Sequence, residues 1–383
     1  MYVLVHYGNR KNVRVKLKFK YYIMRIVLMM YLLLMISGES YAQNKTKNVI
    51  LISMDGYRWQ ELFGGADSIL LNAKKYNSQD SSQRFAKYWA FTEKERRAKL
   101  MPFVWKEIAA NGQIYGNRSL GNNVDFRNTY WFSYPGRSEV LTGYFDPAIN
   151  SNNYSDNPNE NILEFIEKQK GYRGKSVVFA SWDVVAKIVN RNRNRMMVNI
   201  YGEDVKDQKL TSTQELANKM QYFLPDFFGK GERLDGLTYM LARAYIEAGH
   251  PRVMYIDLAD TDVFGHGGKY DYYLDAAHYA DAMIADIWHY VQQEPFYRNQ
   301  TTIIIYPDHG RGEAEQWTSH GTNTPHSGES YIMILGPDTS PKGEITAAQQ
   351  LYMDQVAQTI ANIMGLHFTA NHPVANAIES ILK

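Results

Sequence analysis

Lys47-Asn-Val-Ile-Leu-Ile-Ser-Met54, closed by Asp55-Gly56, is the stretch from which the rest of the chain can be read. It is too short for a typical helix, rich in β-favouring apolar residues and stopped by a turn pair. A continuous apolar run of this kind is a strand buried on both faces, as parallel sheets require. Working outward, Gly174–Ala180 (GKSVVFA), Val253–Leu258 (VMYIDL), Thr301–Tyr306 (TTIIIY) and Tyr331–Leu335 (YIMIL) carry the same signature. Helical periodicity falls between them, over 162–168, 213–223, 233–248, 270–293 and 347–364. Pro102 to Asn111 also reads as a helix, with proline early and Asn-Gly at its end. Strands alternating with helices predict an α/β fold, a mostly parallel central sheet with helices on both faces. The polar, Asn-rich stretches 150–161 and 191–208 read as surface loops, with a small cap expected around 190–232.

Composition narrows the classes. With 383 residues, 45% hydrophobic and 21% charged, the chain is globular and neither disordered nor fibrous. It has no cysteine, which excludes disulfides, thiolate zinc sites, iron–sulfur clusters and a cysteine nucleophile. The net charge of +2 is unevenly spread. Residues 1–42 hold seven basic residues and one acid, so they carry +6 and residues 43–383 carry −4. The basic charge therefore gives no signal for nucleic-acid binding. Ile26 to Ile36 is an unbroken apolar run of 11 residues, short of the roughly 20 a spanning helix needs. Basic residues precede it and Ser40-Tyr41-Ala42 follows. The expectation is a secretory signal over 1–42, cleaved after Ala42, with Met24 as the true start, and a single hydrolase domain over 43–383. That predicts an exported protein, periplasmic or extracellular, with no membrane span after processing. No cysteine follows the run, so a lipoprotein anchor is excluded.

In a parallel sheet the ligand lies beyond the carboxyl ends of the strands. The first strand ends on Asp55; VMYIDL is followed by Asp260, Asp262 and His266; TTIIIY by Asp308 and His309; His320 comes soon after. Taken singly, each has a plain reading as a turn or cap. Together they form a metal-ligand set. The glycines of Asp262-Val-Phe-Gly-His266-Gly-Gly predict a loop there. Asp260 competes with Asp262 for its role, and His326 with His320. Mixed His/Asp sets suit zinc, with manganese or iron also fitting, whereas calcium or magnesium does not favour three imidazoles. Six or seven ligands exceed one tetrahedral ion and suit two divalent ions about 4 Å apart. Ser133-Tyr-Pro135-Gly-Arg137 places a hydroxyl at the expected start of a helix, where free N–H groups favour an anion. Its plain reading is an N-cap; its chemical reading is a metal-activated nucleophile.

The order of these motifs resembles the alkaline phosphatase superfamily, especially its nucleotide pyrophosphatase/phosphodiesterase branch. The sequence runs from Asp55 through Ser133-x-Pro to Leu141-Thr-Gly143, then Asp262-x-x-Gly-His266, Asp308-His309-Gly and His320-Gly. The resemblance spans about residues 47–340 and implies an alkaline-phosphatase-like sandwich. It implies that Asp55, Ser133, Asp308 and His309 hold one zinc and Asp262, His266 and His320 the other. It also implies that Ser133 forms a covalent phospho-enzyme from a small phosphorylated substrate, a phosphodiester or a phosphomonoester. That branch usually has Thr at the nucleophile position, the phosphatases Ser. An Asn some twenty residues on often binds the phosphoryl oxygens, which points to Asn152 or its neighbour Asn153; Arg137 is a second group expected to face them. Ser133-Tyr-Pro-Gly-Arg137 followed by Leu-Thr-Gly also fits the sulfatase signature, with formylglycine at Ser133 and one calcium. Against that, sulfatases usually carry paired Asp after the first strand, where Asp55 is followed by Gly56, and lack a counterpart of Asp262/His266/His320. The same residues would also suit a phosphotransferase with an alcohol acceptor, or a catalytically silent metal-binding protein.

Overall fold

The computed structural model describes residues 20–27, 29, 44–194, 196–206 and 210–382. Residues 20–27 are helical, while most of the apolar run and the expected cleavage position after Ala42 lie outside the described residues. Among the described residues no helix is long and apolar enough to cross a membrane. Residues 44–383 form one compact unit.

Its centre is β1 (Asn48–Met54), every residue of which is buried. β1 pairs in parallel with β6 (Val253–Leu258) on one side and β7 (Thr301–Tyr306) on the other. Beyond β6 lie β4 (Ser176–Ala180) and β5 (Met197–Asn199); beyond β7 lie β8 (Ile332–Leu335), β2 (Gln113–Tyr115) and β9 (Gly343–Glu344). β3 (Asn122–Asp125) and β10 (Gln349–Tyr352) make a separate two-stranded sheet. The central sheet is mostly parallel, as expected. β8 runs against both neighbours. The reason is the connection from β7: residues 307–331 stay at the carboxyl edge to build the site, so the next strand returns in the opposite sense.

Alternate residues of β1 feed opposite cores. Ile50, Ile52 and Met54 pack with Leu241 and Ile246 of the Asp235–Gly249 helix and Leu274, Ile284 and Ile287 of the Tyr270–Gln293 helix. Val49 and Leu51 pack with Val140 and Leu141 of the Ser133–Thr142 helix, Ile162 and Ile166, and Val356 and Ile360. Helices thus cover both faces.

Three expectations need correction. The helix expected over 347–364 is the strand β10 followed by a helix over Gln355–Ile363. β10 is short and polar, and pairing with β3 overrides its weak pattern. The expected helix at 102–111 contains a π-helical turn over Val104–Ile108. The stretch expected to be a loop, 262–266, belongs to a helix over Asp260–His266. Its Gly265 is there for packing rather than for a turn: a Cβ would meet the Arg311 guanidinium.

Candidate metal centre

Three strand ends and a helix start meet at one edge of the sheet. Asp55 leaves β1, the Asp260–His266 helix leaves β6, and Asp308 and His309 leave β7. The Ser133–Thr142 helix closes over them: Gly136 abuts the backbone carbonyl of Asp308 so closely that a Cβ would overlap it. That contact puts Ser133, the first helical residue, at the site. Phe132 holds the N-cap position, so Ser133 is not the cap. Its Oγ lies 3.3 Å from His309 Nε2.

Two ligand sets converge. In the first, Asp55, Asp308 and His309 bring their donor atoms within 4.8 Å of one another. His309 Nε2 is 3.2 Å from Asp55 Oδ1. In the second, Asp262, His309 and His320 do the same. His266 joins it, with Nε2 3.1 Å from Asp262 Oδ2 and 3.0 Å from His320 Nε2. Asp262 and His266, four residues apart, share one helix face. The rings of His309 and His320 stack at 3.7 Å between the sets.

The donor chemistry fits bound cations. Nδ1 of His309 meets Gly310 O at 2.8 Å and Nδ1 of His320 meets Trp131 O at 2.9 Å. A carbonyl acceptor requires N–H at Nδ1, so the neutral imidazole carries its lone pair on Nε2, aimed into the site, the arrangement that orients metal-ligating imidazoles. Asp55 Oδ1 is buried and, apart from His309 Nε2 at 3.2 Å, has no hydrogen-bond partner among the described residues. Asp55, Asp257, Asp262 and Asp308 are all buried, and the two guanidiniums among them, Arg137 and Arg311, leave an excess of negative charge. A buried excess of this sign calls for cations.

Arg137, expected to face a phosphoryl group, points the other way. Fully buried, it donates through Nε to Asp257 at 2.5 Å, through Nη2 to Asp55 Oδ2 at 2.9 Å, and through Nη1 to Asp308. Its guanidinium is taken up by these three carboxylates, two of which, Asp55 and Asp308, also lie 3.2 and 3.7 Å from His309 Nε2. Asp257 is held in turn by Ser53 at 2.6 Å and Tyr255 at 3.0 Å. Arg311 pairs with Asp262 and donates to the carbonyls of Trp317 at 2.7 Å and Thr318 at 2.6 Å. Asn152 sits beside the helix start, its Oδ1 accepting from Tyr134 N–H at 2.9 Å. Asp260 stands apart, its Oδ1 accepting from Asp235 N–H at 3.1 Å. So does His326, paired with Glu329 at 2.9 Å.

Charge shifts follow from this crowding. Burial opposes the charge of Asp262, yet Arg311 and His320 hold its carboxyl well below the usual range. Burial and nearby carboxylates, against the pull of Arg137, push Asp308 up to about 7. Burial pulls His309 down, but Asp308, Asp262 and Asp55 outweigh it and raise it to about 9. His320 falls to about 3 through burial and the charge of His309.

Sequence reasoning passes over Arg311, Asp257 and the support from Ser53 and Tyr255. Asp257 does carry a signal, an acid inside the apolar strand VMYIDL. Arg311 does not; its role depends on Asp262 approaching from another part of the chain.

Comparison with known proteins agrees with this geometry. Residues 235–368 match the family model of the Metalloenzyme superfamily, a span that includes Asp262, His266, Asp308, His309 and His320. No protein of curated function matches the chain. Among solved structures, wild-type alkaline phosphatase PafA is similar at 11% identity, covering 90% of this chain and 100% of PafA, with a TM-score of 0.59. The phosphonate monoester hydrolase SpPMH from Silicibacter pomeroyi is 13% identical over 88% of this chain and 76% of its own, with a TM-score of 0.54. BT1596, a 2-O GAG sulfatase, is 13% identical over 88% and 74%, with a TM-score of 0.53. The fold is shared with these alkaline-phosphatase-like structures, as the motif order leads one to expect.

Proposed function

We propose, from the premise of an alkaline-phosphatase-superfamily fold with a Metalloenzyme-superfamily segment, that this chain hydrolyses phosphate esters with Ser133 as nucleophile. The observation that carries the reading is the position of Ser133 Oγ at a helix start, 3.3 Å from His309 Nε2, where two ligand sets meet. Asp55, Ser133, Asp308 and His309 would hold one divalent ion, and Asp262, His266 and His320 the other; zinc suits this donor set best. When bound, such ions stabilise charge on the attacking and leaving oxygens.

The chain's own groups do the rest. Ser133 Oγ attacks phosphorus in line, the ester oxygen departs, and water then cleaves the phosphoserine. The N–H groups at the helix start face the phosphoryl oxygens, and the helix dipole favours their charge. Asn152, anchored through Oδ1, has its amide N–H groups left for the same oxygens. Arg137 is a positioning residue: it holds Asp55 through Oδ2, leaving Oδ1 toward His309, and it holds Asp308 through Oδ2, while Asp308 Oδ1 accepts from Gly56 N–H at 3.0 Å.

Aryl phosphate monoester, phosphodiester and sulfate ester, assayed side by side, test the reading. Hydrolysis of a phosphate ester, about two zinc ions per chain and loss of activity of at least ~10³-fold in Ser133→Ala with metal retained are expected. Sulfate-ester hydrolysis with one calcium and formylglycine at Ser133 would make it a sulfatase, which the Ser-Tyr-Pro-Gly-Arg run and the fold of BT1596 favour as the second reading. Metal binding with no hydrolysis would make it a silent metal-binding protein. Export is proposed on the leader alone; N-terminal sequencing of the mature chain should begin at Gln43.

A further inference from the structure

A cavity of ≈ 210 Å³ opens beside the metal centre, past the carboxyl ends of β4 and β5. Its position follows from three backbone bonds. Gly231 O accepts from Asp183 N–H at 2.9 Å, and Arg233 N–H donates to Ser181 O at 3.0 Å. Ser181 N–H donates in turn to Asp257 O at 3.0 Å. The wall segment 231–233 is therefore tied to the strand that carries Asp257, the carboxylate clamped by Arg137. Glu232, on that wall, lies near enough to Asp55 and Asp262 to feel their charge.

Tyr201, Tyr222, Leu224 and Phe227 supply aromatic and apolar wall, and Arg233 is buried behind them, 5% exposed. Its guanidinium donates to Thr238 Oγ1 at 2.9 Å, Gln221 Oε1 at 3.0 Å and Asn199 Oδ1 at 2.8 Å. All three acceptors are neutral. Arg137 and Arg311, equally buried at the metal centre, each meet carboxylates. Among the described residues Arg233 has no carboxylate within ion-pair distance; its one further acceptor there is the neutral Asn199 carbonyl at 3.5 Å, and Glu203 and Asp235 act on it only from farther off. A buried cation with only neutral partners is costly, and an anion would relieve that cost. Burial already draws its pKa down to about 9. The two acids on the wall are accounted for: Asp226 accepts from Tyr201 OH at 2.9 Å. Burial and then the charges of Asp55 and Asp262 push Glu232 up to about 7.

We propose that this cavity is a subsite for the organic part of the substrate, taking an aromatic group that bears an anion, carboxylate or phosphate. The ring lies against Tyr201, Tyr222 and Phe227, and the anion on the Arg233 guanidinium. The proposal rests on the ester-hydrolase reading for its place in catalysis but not for binding itself.

The test is calorimetric titration of benzene-1,3-dicarboxylate into the EDTA-treated full chain, where no metal competes for the anion. Wild type and Ser133→Ala should bind it saturably and alike. Arg233→Gln should bind about tenfold more weakly or worse, the loss of one charge-assisted contact. Phe227→Ala, at a side chain 68% exposed and so harmless to folding, should bind roughly threefold more weakly. Absence of binding to wild type, or wild-type affinity in both variants, overturns the subsite. If Arg233→Gln loses its cooperative melt, Phe227→Ala decides. Hydrolysis of an aryl phosphate by a chain that ignores the dicarboxylate sinks the subsite alone. Binding by a chain that hydrolyses nothing sinks the ester reading alone.

Discussion

The two halves of the metal centre are built differently. The Asp55/Asp308/His309 half sits on strand ends, with Asp308 and His309 at 0% side-chain exposure, and one guanidinium clamps three carboxylates beneath it. The Asp262/His266/His320 half is carried by a short helix and a loop, and His266 is 51% exposed. A half locked from below holds its nucleophile and ligands in one geometry. A half open to solvent has room for ligand exchange and for a leaving group. That division matches the roles proposed, with Ser133 on the locked side.

Removing the clamp should produce the largest stability effect. Arg137→Met leaves Asp257 without a cation among the described residues and Asp55 and Asp308 with His309 alone, and a loss of about 3–5 kcal/mol in denaturant unfolding of the metal-free chain is expected. Arg311→Met should cost less, because it strips the guanidinium from one carboxylate rather than three, and Asp262 keeps the imidazoles of His266, His309 and His320. Equal losses would erase the contrast.

Next come the two glycines. Gly136→Ala drives a methyl into the Asp308 backbone carbonyl, which cannot swing away, so a loss of at least about 2 kcal/mol is expected. Gly265→Ala meets the Arg311 guanidinium, a side-chain end that can shift. A loss of about 1 kcal/mol or less is expected there, partly offset by alanine's helix propensity. Chemical denaturation of both variants compares them directly.

His266→Ala should leave stability within about 0.5 kcal/mol, as exposed substitutions do. Elemental analysis should nevertheless find one fewer ion per chain. Retention of both ions would remove His266 from the ligand set.

The metal-free chain should also show a pH dependence. His309 titrates higher in the folded state, about 9 against an ordinary value of 6.5. Its contribution is fully present below 6.5 and fades as pH rises through 9. His320 titrates lower, about 3. Its contribution is present above 6.5 and fades as pH falls toward 3. Melting temperature should therefore decline on both sides of pH 6.5. His309→Gln should remove the alkaline limb and His320→Gln the acid one. A curve unchanged by either substitution would contradict these assignments.

Much of the fold was legible because buried parallel strands are continuous apolar runs. β1, β4, β6, β7 and β8 lie within one or two residues of their expected limits. β2, β5 and β9 were not legible, being three residues or fewer and stabilised by neighbours already in place. β10, polar over Gln349–Tyr352, reads as helix until β3 pairs with it. At the site, residue types after each strand pointed to Asp55, Asp262, His266, Asp308, His309 and His320, because a parallel sheet gathers those positions at one edge. Asp262 and His320 lie in the converging sets, while Asp260 and His326 are engaged with Asp235 and Glu329.

The amino-acid sequence by itself determined the alternation of strand and helix, the collection of carboxylates and imidazoles at one edge, and the placing of Ser133 at a helix start. These depend on local pattern and chain order. Only the tertiary structure decided where the two buried arginines point and that 260–266 is helical. It also decided that Arg233 lines a cavity with, among the described residues, no carboxylate within ion-pair distance. Those outcomes depend on which charges are brought together from distant parts of the chain, and burial makes each such pairing, or its lack, energetically decisive.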